Sequence, residues 1–427
     1  MTATPLFSND DADLAGKRLL ILGGGLWQLE YVRRARQLGI ETWVTDWSSS
    51  AVARDEASRF EPIDLKDRDA TLALAERARI HGVLTAADIG VPTAAYLADR
   101  LGLPGHSPAL ALAATNKLRM RQRSEAAGIA CPRYRLARST EEAMSAIDGI
   151  ALPVIVKPVD NCSSRGVRRV DREAALSGAV SEALAASRCG EALIEQCLVG
   201  TEGSIEALVV EGVVTILGIC DKTKSPLPDR YDLELRYPGS FDASTWSDLE
   251  ALARRIVDRF EIVNGILHIE FLVSADTRTV YLIEFAIRGC GSKVATHLMP
   301  VLTGVDVVGI LIRQALGLPV QVDVSRACCG ALHFLMFPPG RITAVRGVEE
   351  AKALRGVIDV CVERAPGDTI EEVHDGRSRP GHVLVWGLDK ADVQQTLAGV
   401  RALVRLDYEH ARDVAPADSR QLMADSY

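Results

Sequence analysis

Short apolar runs alternate with helical spacing over the first hundred residues. Residues 18–22 are apolar and close on Gly23-Gly24-Gly25, which predicts a strand and a turn. Residues 26–38 carry apolar positions at helical spacing, and 42–46 predict a second strand. A helix over 71–79, a strand over 82–85 and another helix follow. Strands alternating with helices predict a parallel sheet. Residues 102–108, rich in Gly and Pro, predict a linker.

The texture then changes. Residues 152–156 and 192–197 predict strands, with a polar loop over 161–166 between them. Residues 204–210 and 213–220 predict a hairpin around Glu211-Gly212, 246–260 an amphipathic helix, and 266–273 with 280–285 a second hairpin. Local strand pairing of this kind marks an α+β region. Strands over 331–337, 357–362 and 382–386, a tight turn at Pro338-Pro339-Gly340 and a helix over 391–404 complete the chain. The fold class is therefore α/β joined to α+β, divided as 1–114, 115–318 and 319–427.

Composition narrows the function. The net charge of −8 argues against nonspecific binding to nucleic acid or an anionic membrane. No apolar run is long enough for a membrane span, and the polar N-terminus lacks a secretion signal, so a cytoplasmic protein is expected. The nine cysteines are scattered without a Cys-x-x-Cys pair; they read as reduced thiols, with no zinc or disulfide framework. His81, His106, His297, His333, His374 and His410 show no metal-ligand spacing and read as structural or surface residues.

The second predicted hairpin carries the most chemistry. Its turn is centred near Thr277, which places Glu270 opposite Glu284, roughly 5 Å apart on one face with His268 and Ala286. Two facing carboxylates on otherwise apolar strands repel, and a hard cation such as Mg²⁺ relieves the repulsion. The alternative is that both carboxylates simply reach solvent. Arg288 follows just beyond the strand, placed to hold an anion or a phosphoryl group in transfer, or else to pair with one of the glutamates. Gly289 and Gly291 leave room for a ligand close to the backbone.

Lys157 leaves a buried strand beside the loop Asn161-Cys162-Ser163-Ser164-Arg165-Gly166, an arrangement suited to phosphates but different from the P-loop. At Glu195-Gln196-Cys197-Leu198, backbone groups suit an adenine, and Glu202 suits ribose hydroxyls. Gly23-x-Gly25-x-x-Gln28 followed by Asp46 approaches a dinucleotide fingerprint, so an NAD-dependent oxidoreductase is an alternative, although Gln28 replaces the third glycine. A nucleotide-binding protein without catalysis is another.

In this order the segments resemble the ATP-grasp superfamily over residues 18–315. The resemblance implies an ATP-grasp fold with an N-terminal pre-ATP-grasp domain and a C-terminal subdomain. It implies ATP held by Lys117, Lys157, Ser163, Ser164, Gly166, Glu195, Cys197, Leu198 and Glu202, and Mg²⁺, or Mn²⁺, held by Glu270 and Glu284. The family often has Asn two residues after the second metal ligand; here Ala286 stands there. Within the superfamily the chain is most similar to carboxylate–amine ligases that include the L-amino acid (dipeptide) ligases. That similarity rests on Asp221-Lys222, Pro226 to Glu234, Pro238, His268-x-Glu270, Arg288-x-x-Gly291, Phe337-Pro338-Pro339-Gly340 and the late strand beginning Pro380-Gly381-His382-Val383. It implies a catalytic Arg288 and a substrate site of Glu234, His268, Arg288, Gly291 and Ser292, the serine standing where some members carry an aromatic. The expected partners are a small carboxylate and an amine, with a homodimer the common assembly of the superfamily.

Overall fold

A computed structural model describes residues 13–147, 149–162, 164–226 and 229–409. The N-terminal sheet is wholly parallel, in the order Arg59–Glu61, Glu41–Thr45, Arg18–Leu22, Gly82–Thr85. Its central strand Arg18–Leu22 is buried on both faces, under helices Leu29–Gln37, Arg68–Ala78 and Val91–Leu101, as its apolar run requires, while the edge strand Arg59–Glu61 is partly exposed. The helix predicted from residue 26 starts at Leu29, because residues 26–28 complete the turn after the glycines.

Next comes a small antiparallel sheet in the order Tyr134–Ala137, Ala192–Gln196, Val154–Pro158, Arg168–Val170, packed on helices Thr140–Ala146 and Leu176–Ala186. The main sheet has eight antiparallel strands. From one edge they run Val280–Ala286, Gly265–Ser274, Gly200–Val210, Val213–Lys224, Asp232–Tyr237, Cys329–Phe334, Gly381–Gly387 and Val357–Val362. The sheet passes residue 319 without a break, since Cys329–Phe334 pairs directly with Asp232–Tyr237. A three-stranded sheet of Thr369–Ile370, Gly340–Arg346 and Arg405–Tyr408 lies beside it. The strand expected over 331–337 stops at Phe334, short of the two prolines, which cannot donate to a ladder.

Alternation gives the main sheet two different faces. Ile205, Ala207, Ile219, Leu267, Ile269 and Phe271 point to one side and bury against helix Ala243–Arg259 through Leu249, Leu252, Ala253 and Ile256. Each such large apolar side chain contributes about 1.5–3 kcal/mol. Glu202, Ser204 and Glu206, His268 and Glu270, and Cys220 and Lys222 occupy the intervening positions and share the opposite face. Among the described residues no single helix is long and apolar enough to cross a membrane.

Candidate active site

The two glutamates meet as their spacing predicts: Glu270 is the register partner of Glu284, and His268 of Ala286. A bulge contributes to this. Val273 pairs with Val280 and Phe271 with Leu282, and the register then slips by one residue so that Ile283 has no opposite number. The extra residue turns Glu284 onto the face of Glu270, which strict alternation from Leu282 would deny it. Buried Arg121 secures the bulge by donating to the Ile283 carbonyl at 2.6 Å and the Leu282 carbonyl at 3.4 Å.

Each carboxylate has a lysine. Lys222 Nζ donates to Glu270 at 2.9 Å, and Lys117 Nζ to Glu284 at 3.0 Å. The glutamate side chains are 32% and 33% exposed, whereas the lysines are almost fully buried. Burial disfavours ionisation of Glu270, but Lys222 and His268 outweigh it and hold its carboxyl well below the usual range. Burial likewise opposes charge on Lys117, and Glu284 overcomes it and raises the pKa. Two oxygen-donor groups that are partly exposed and paired in register fit a hard divalent cation. Their ammonium partners fit the phosphates that would accompany it.

Lys117 opens helix Lys117–Ala126, whose N-cap Asn116 accepts from Arg119 N–H at 3.0 Å. Its Nζ also donates to the Asn161 carbonyl at 2.6 Å, which brings the polar loop to the glutamates. In that loop Ser164 and Gly166 have φ of 58° and 68°; Ser163 lies outside the described residues. Lys157 is buried and contacts Glu195 at 2.6 Å; burial, reinforced by Arg121 and Lys117, outweighs Glu195 and lowers its pKa.

Several expected residues are placed differently. The Glu195 carboxylate is enclosed between Lys157 and Arg121, at 2.6 and 2.9 Å, and so is not free to approach a ligand. Its position on the strand therefore supports Lys157 and leaves the adenine reading to the backbone of Cys197 and Leu198, half-buried in the connection to Gly200–Val210. Glu202 lies on the site face but is paired with Lys224, at 3.0 Å, and Arg230. Glu234 is on the wrong face. It pairs with Thr223 and His333, while Lys222 pairs with Leu235, so alternation turns Glu234 away from Glu270. There it accepts from His333 Nδ1 at 2.9 Å and cannot hold a substrate ammonium beside the two glutamates.

Arg288 is held by neither glutamate. It forms a two-pronged pair with Asp88, Nε to Oδ1 at 2.8 Å and Nη2 to Oδ2 at 2.7 Å, across from the N-terminal unit. Asp88 carries no sequence signal of its own. Glu206 was equally unforeseen: fully buried, it bonds His268 Nδ1 and accepts from Cys290 N–H at 3.2 Å, while His268 Nε2 lies 3.3 Å from Glu270. Burial would discharge His268, but Glu206 outweighs it and raises the pKa well above its ordinary value. The signal was present in the alternation of Ser204 and Glu206 with Ile205 and Ala207. Gly289 is required sterically, since a Cβ there would meet Ala295 Cβ at 2.3 Å; Gly291 faces open space. Ser292 follows at φ 50°, half-buried, so the segment after Arg288 turns sharply.

The dinucleotide reading fails on the same geometry. Asp46 Oδ2 accepts from Gly24 N–H at 2.8 Å and its Oδ1 from Ser48 N–H at 2.9 Å, so the carboxylate is spent on the turn. Gln28 packs against Gly23 where a third glycine would leave space.

Three family models match in succession: the ATP-grasp N-terminal domain over residues 32–105, the ATP-grasp domain over 150–297, and the L-amino acid ligase C-terminal domain 2 over 333–409. The chain belongs to the ATP-grasp superfamily of ligases. It is similar to the formate-dependent phosphoribosylglycinamide formyltransferase of Methanococcus vannielii, 28% identical over 334 residues, which span 76% of this chain and 81% of that one. Among solved structures it is similar in fold to the L-amino acid ligase of Bacillus licheniformis, with a TM-score of 0.79 and 21% identity over 93% of this chain and all (100%) of the other. Phosphoribosylglycinamide synthetase from Anaerococcus prevotii gives a TM-score of 0.73 at 16% identity over 92% of this chain and 100% of that one. As an ATP-grasp ligase the chain is an enzyme that forms carbon–nitrogen bonds with release of ADP.

Proposed function

We propose that this ligase uses ATP to convert a small carboxylate into an acylphosphate and then joins it to an amine. The single observation that carries the reading is the pairing of Glu270 with Glu284, each backed by a buried lysine, beside Arg288. Lys117 and Lys157 would neutralise ATP phosphates beneath the loop of residues 161–166, with Cys197 and Leu198 offering backbone groups to the adenine. Mg²⁺ held by Glu270 and Glu284, with Mn²⁺ as a substitute, would supply positive charge against the transferring phosphate. A substrate carboxylate oxygen attacks the γ-phosphorus, the bond to the β-bridging oxygen breaks, and ADP leaves. The amine then attacks the acyl carbon, loses a proton, and expels phosphate to leave an amide. Arg288 suits the negative charge in both steps, and Asp88 fixes the plane of its guanidinium. The acyl group would lie beside His268, Gly291 and Ser292, where the Cβ direction of Gly291 is open.

Support for the amino-acid-ligase branch comes from the match at residues 333–409. The relatives named as formate-dependent formyltransferases make formate a carboxylate to include in any panel. The test is ADP and phosphate release over pairs of carboxylates and amines, with Glu284→Ala as the control. The wild-type chain should release both products with one pair class and divalent metal, and the folded variant should not. Normal turnover by a folded Glu284→Ala chain would remove the metal assignment. ADP release with no amide product from any pair would remove the ligase reading.

A further inference from the structure

The outer end of the main sheet carries a second donor set that the ligase chemistry does not use. Cys361 and His382 are register partners on the strands Val357–Val362 and Gly381–Gly387. Glu363 follows two residues after Cys361, and its N–H is bound to the Pro380 carbonyl, which keeps it alongside. One ligand atom from each of Cys361, Glu363 and His382 lies within 4.8 Å of the other two. We propose that these three residues bind one zinc-class divalent cation at the edge of the sheet.

The imidazole is the strongest argument. His382 is buried, with 1% of its side chain exposed, yet its Nε2 makes no hydrogen bond among the described residues. Nε2 faces Asp359 Oδ2 at 3.7 Å, and Nδ1 faces Glu363 Oε1 at 3.5 Å. A neutral ring with its proton on Nε2 points that N–H at Asp359. The Nδ1 lone pair then faces the Glu363 carboxylate, a repulsion that either a proton on Nδ1 or a bound cation relieves, and the Cys361 thiol beside it favours the cation. A histidine whose distal nitrogen faces a carboxylate while the other binds metal is the usual outer arrangement of such sites. Asp359 is itself fixed by Lys293 at 2.5 Å, and Trp27 covers the ring at 5.8 Å between centroids. Sulfur, nitrogen and oxygen donors together select zinc over magnesium, and a tetrahedral ion would draw them to about 3.5 Å apart, a small closure. Sequence spacing held no sign of this site because its ligands come from two strands brought together only by the sheet. Lys293, the residue after Ser292, is tied to the site through Asp359.

The experiment titrates the metal-free, reduced full chain with Co²⁺. A thiolate-to-cobalt charge-transfer band should rise to one equivalent and be displaced by Zn²⁺; the oxygen donors Glu270 and Glu284 cannot give this band. Cys361→Ser should abolish it. Cys290→Ser should retain it, a necessary control because Glu206, His268 and Cys290 also approach within 4.8 Å. Since His382 is buried, the half-exposed Glu363→Gln is the second variant, expected to weaken binding about tenfold or more with an unchanged circular dichroism spectrum. No band in the wild-type chain overturns the proposal and leaves His382 as a protonated partner of the two carboxylates. A band lost in Cys290→Ser but kept in Cys361→Ser overturns it as well. Either result leaves the ligase reading untouched, because that reading is judged on ADP release.

Discussion

At the scale of single residues, the decisive group is one carboxylate shared by two buried cations. Glu195 lies between Arg121 and Lys157, and burial's tendency to protonate it is overcome by both, so its pKa is lowered. Removing one cation leaves a neutral pair, while removing the anion strands two charges in the interior. Glu195→Gln should therefore cost about 3–5 kcal/mol, and Lys157→Met much less, because the Arg121–Glu195 pair survives. Urea unfolding of the two variants measures the difference, and equal losses would refute the shared-anion argument. Lys157→Met should nevertheless be the variant that weakens ATP binding in calorimetry. Lys157 was legible in the sequence because a lysine ending an apolar strand is conspicuous. The inward turn of Glu195 was not, since a strand-end carboxylate has no one-dimensional mark of its direction. Glu234 was misread for a related reason: its face depends on which residue of the neighbouring strand it pairs with, and Asp232–Tyr237 gave no strand signal among its charges.

At the scale of elements, local devices aim the side chains. The hairpin's register was legible from equal distances about Thr277, but the turn-side pairs Val273–Val280 and Phe271–Leu282 follow a different centre. The expected pairing of Glu270 with Glu284 holds because the bulge at Ile283 makes up the difference, and bulges leave no clear trace in an apolar strand. Lys117 depends on the start of its helix in the same way. Asn116 caps that helix through Arg119 N–H, and Lys117 N–H donates to the Val159 carbonyl at 2.6 Å, so cap and lysine are fixed together. Asn116→Ala should lower stability by about 1 kcal/mol and raise KM for ATP, whereas Asn116→Asp should restore both. Steady-state kinetics beside thermal melts decide this. An unchanged KM in the alanine variant would mean that the cap does not position Lys117.

At the scale of the whole molecule, the N-terminal unit is held to the rest by charge and by packing. Asp88 pairs with Arg288, Arg34 pairs with Asp306 at 2.7 Å, and the His106 ring lies against Gly265 of the main sheet. His106 supplies a pH dependence with a definite sign. Burial pushes its pKa down to about 4, whereas in the unfolded chain it titrates near an ordinary ~6.5. Between those values the unfolded chain takes up a proton that the folded chain refuses, so stability rises with pH across the window. The full contribution of neutral His106 is present above about pH 6.5 and is lost as the pH falls toward 4. Glu270 and Asp88 are held below their usual range and so lose their contributions only at lower pH, near and below ordinary carboxylate values. The difference between wild type and His106→Asn therefore isolates the imidazole. Urea midpoints taken at several values between pH 4.5 and 7.5 should fall more steeply with acid for the wild type, and the variant should lose most of that extra slope. Parallel slopes for the two proteins would mean that His106 is already protonated or hydrated where it meets Gly265, and that the seam between the N-terminal unit and the main sheet is wetter than its packing implies.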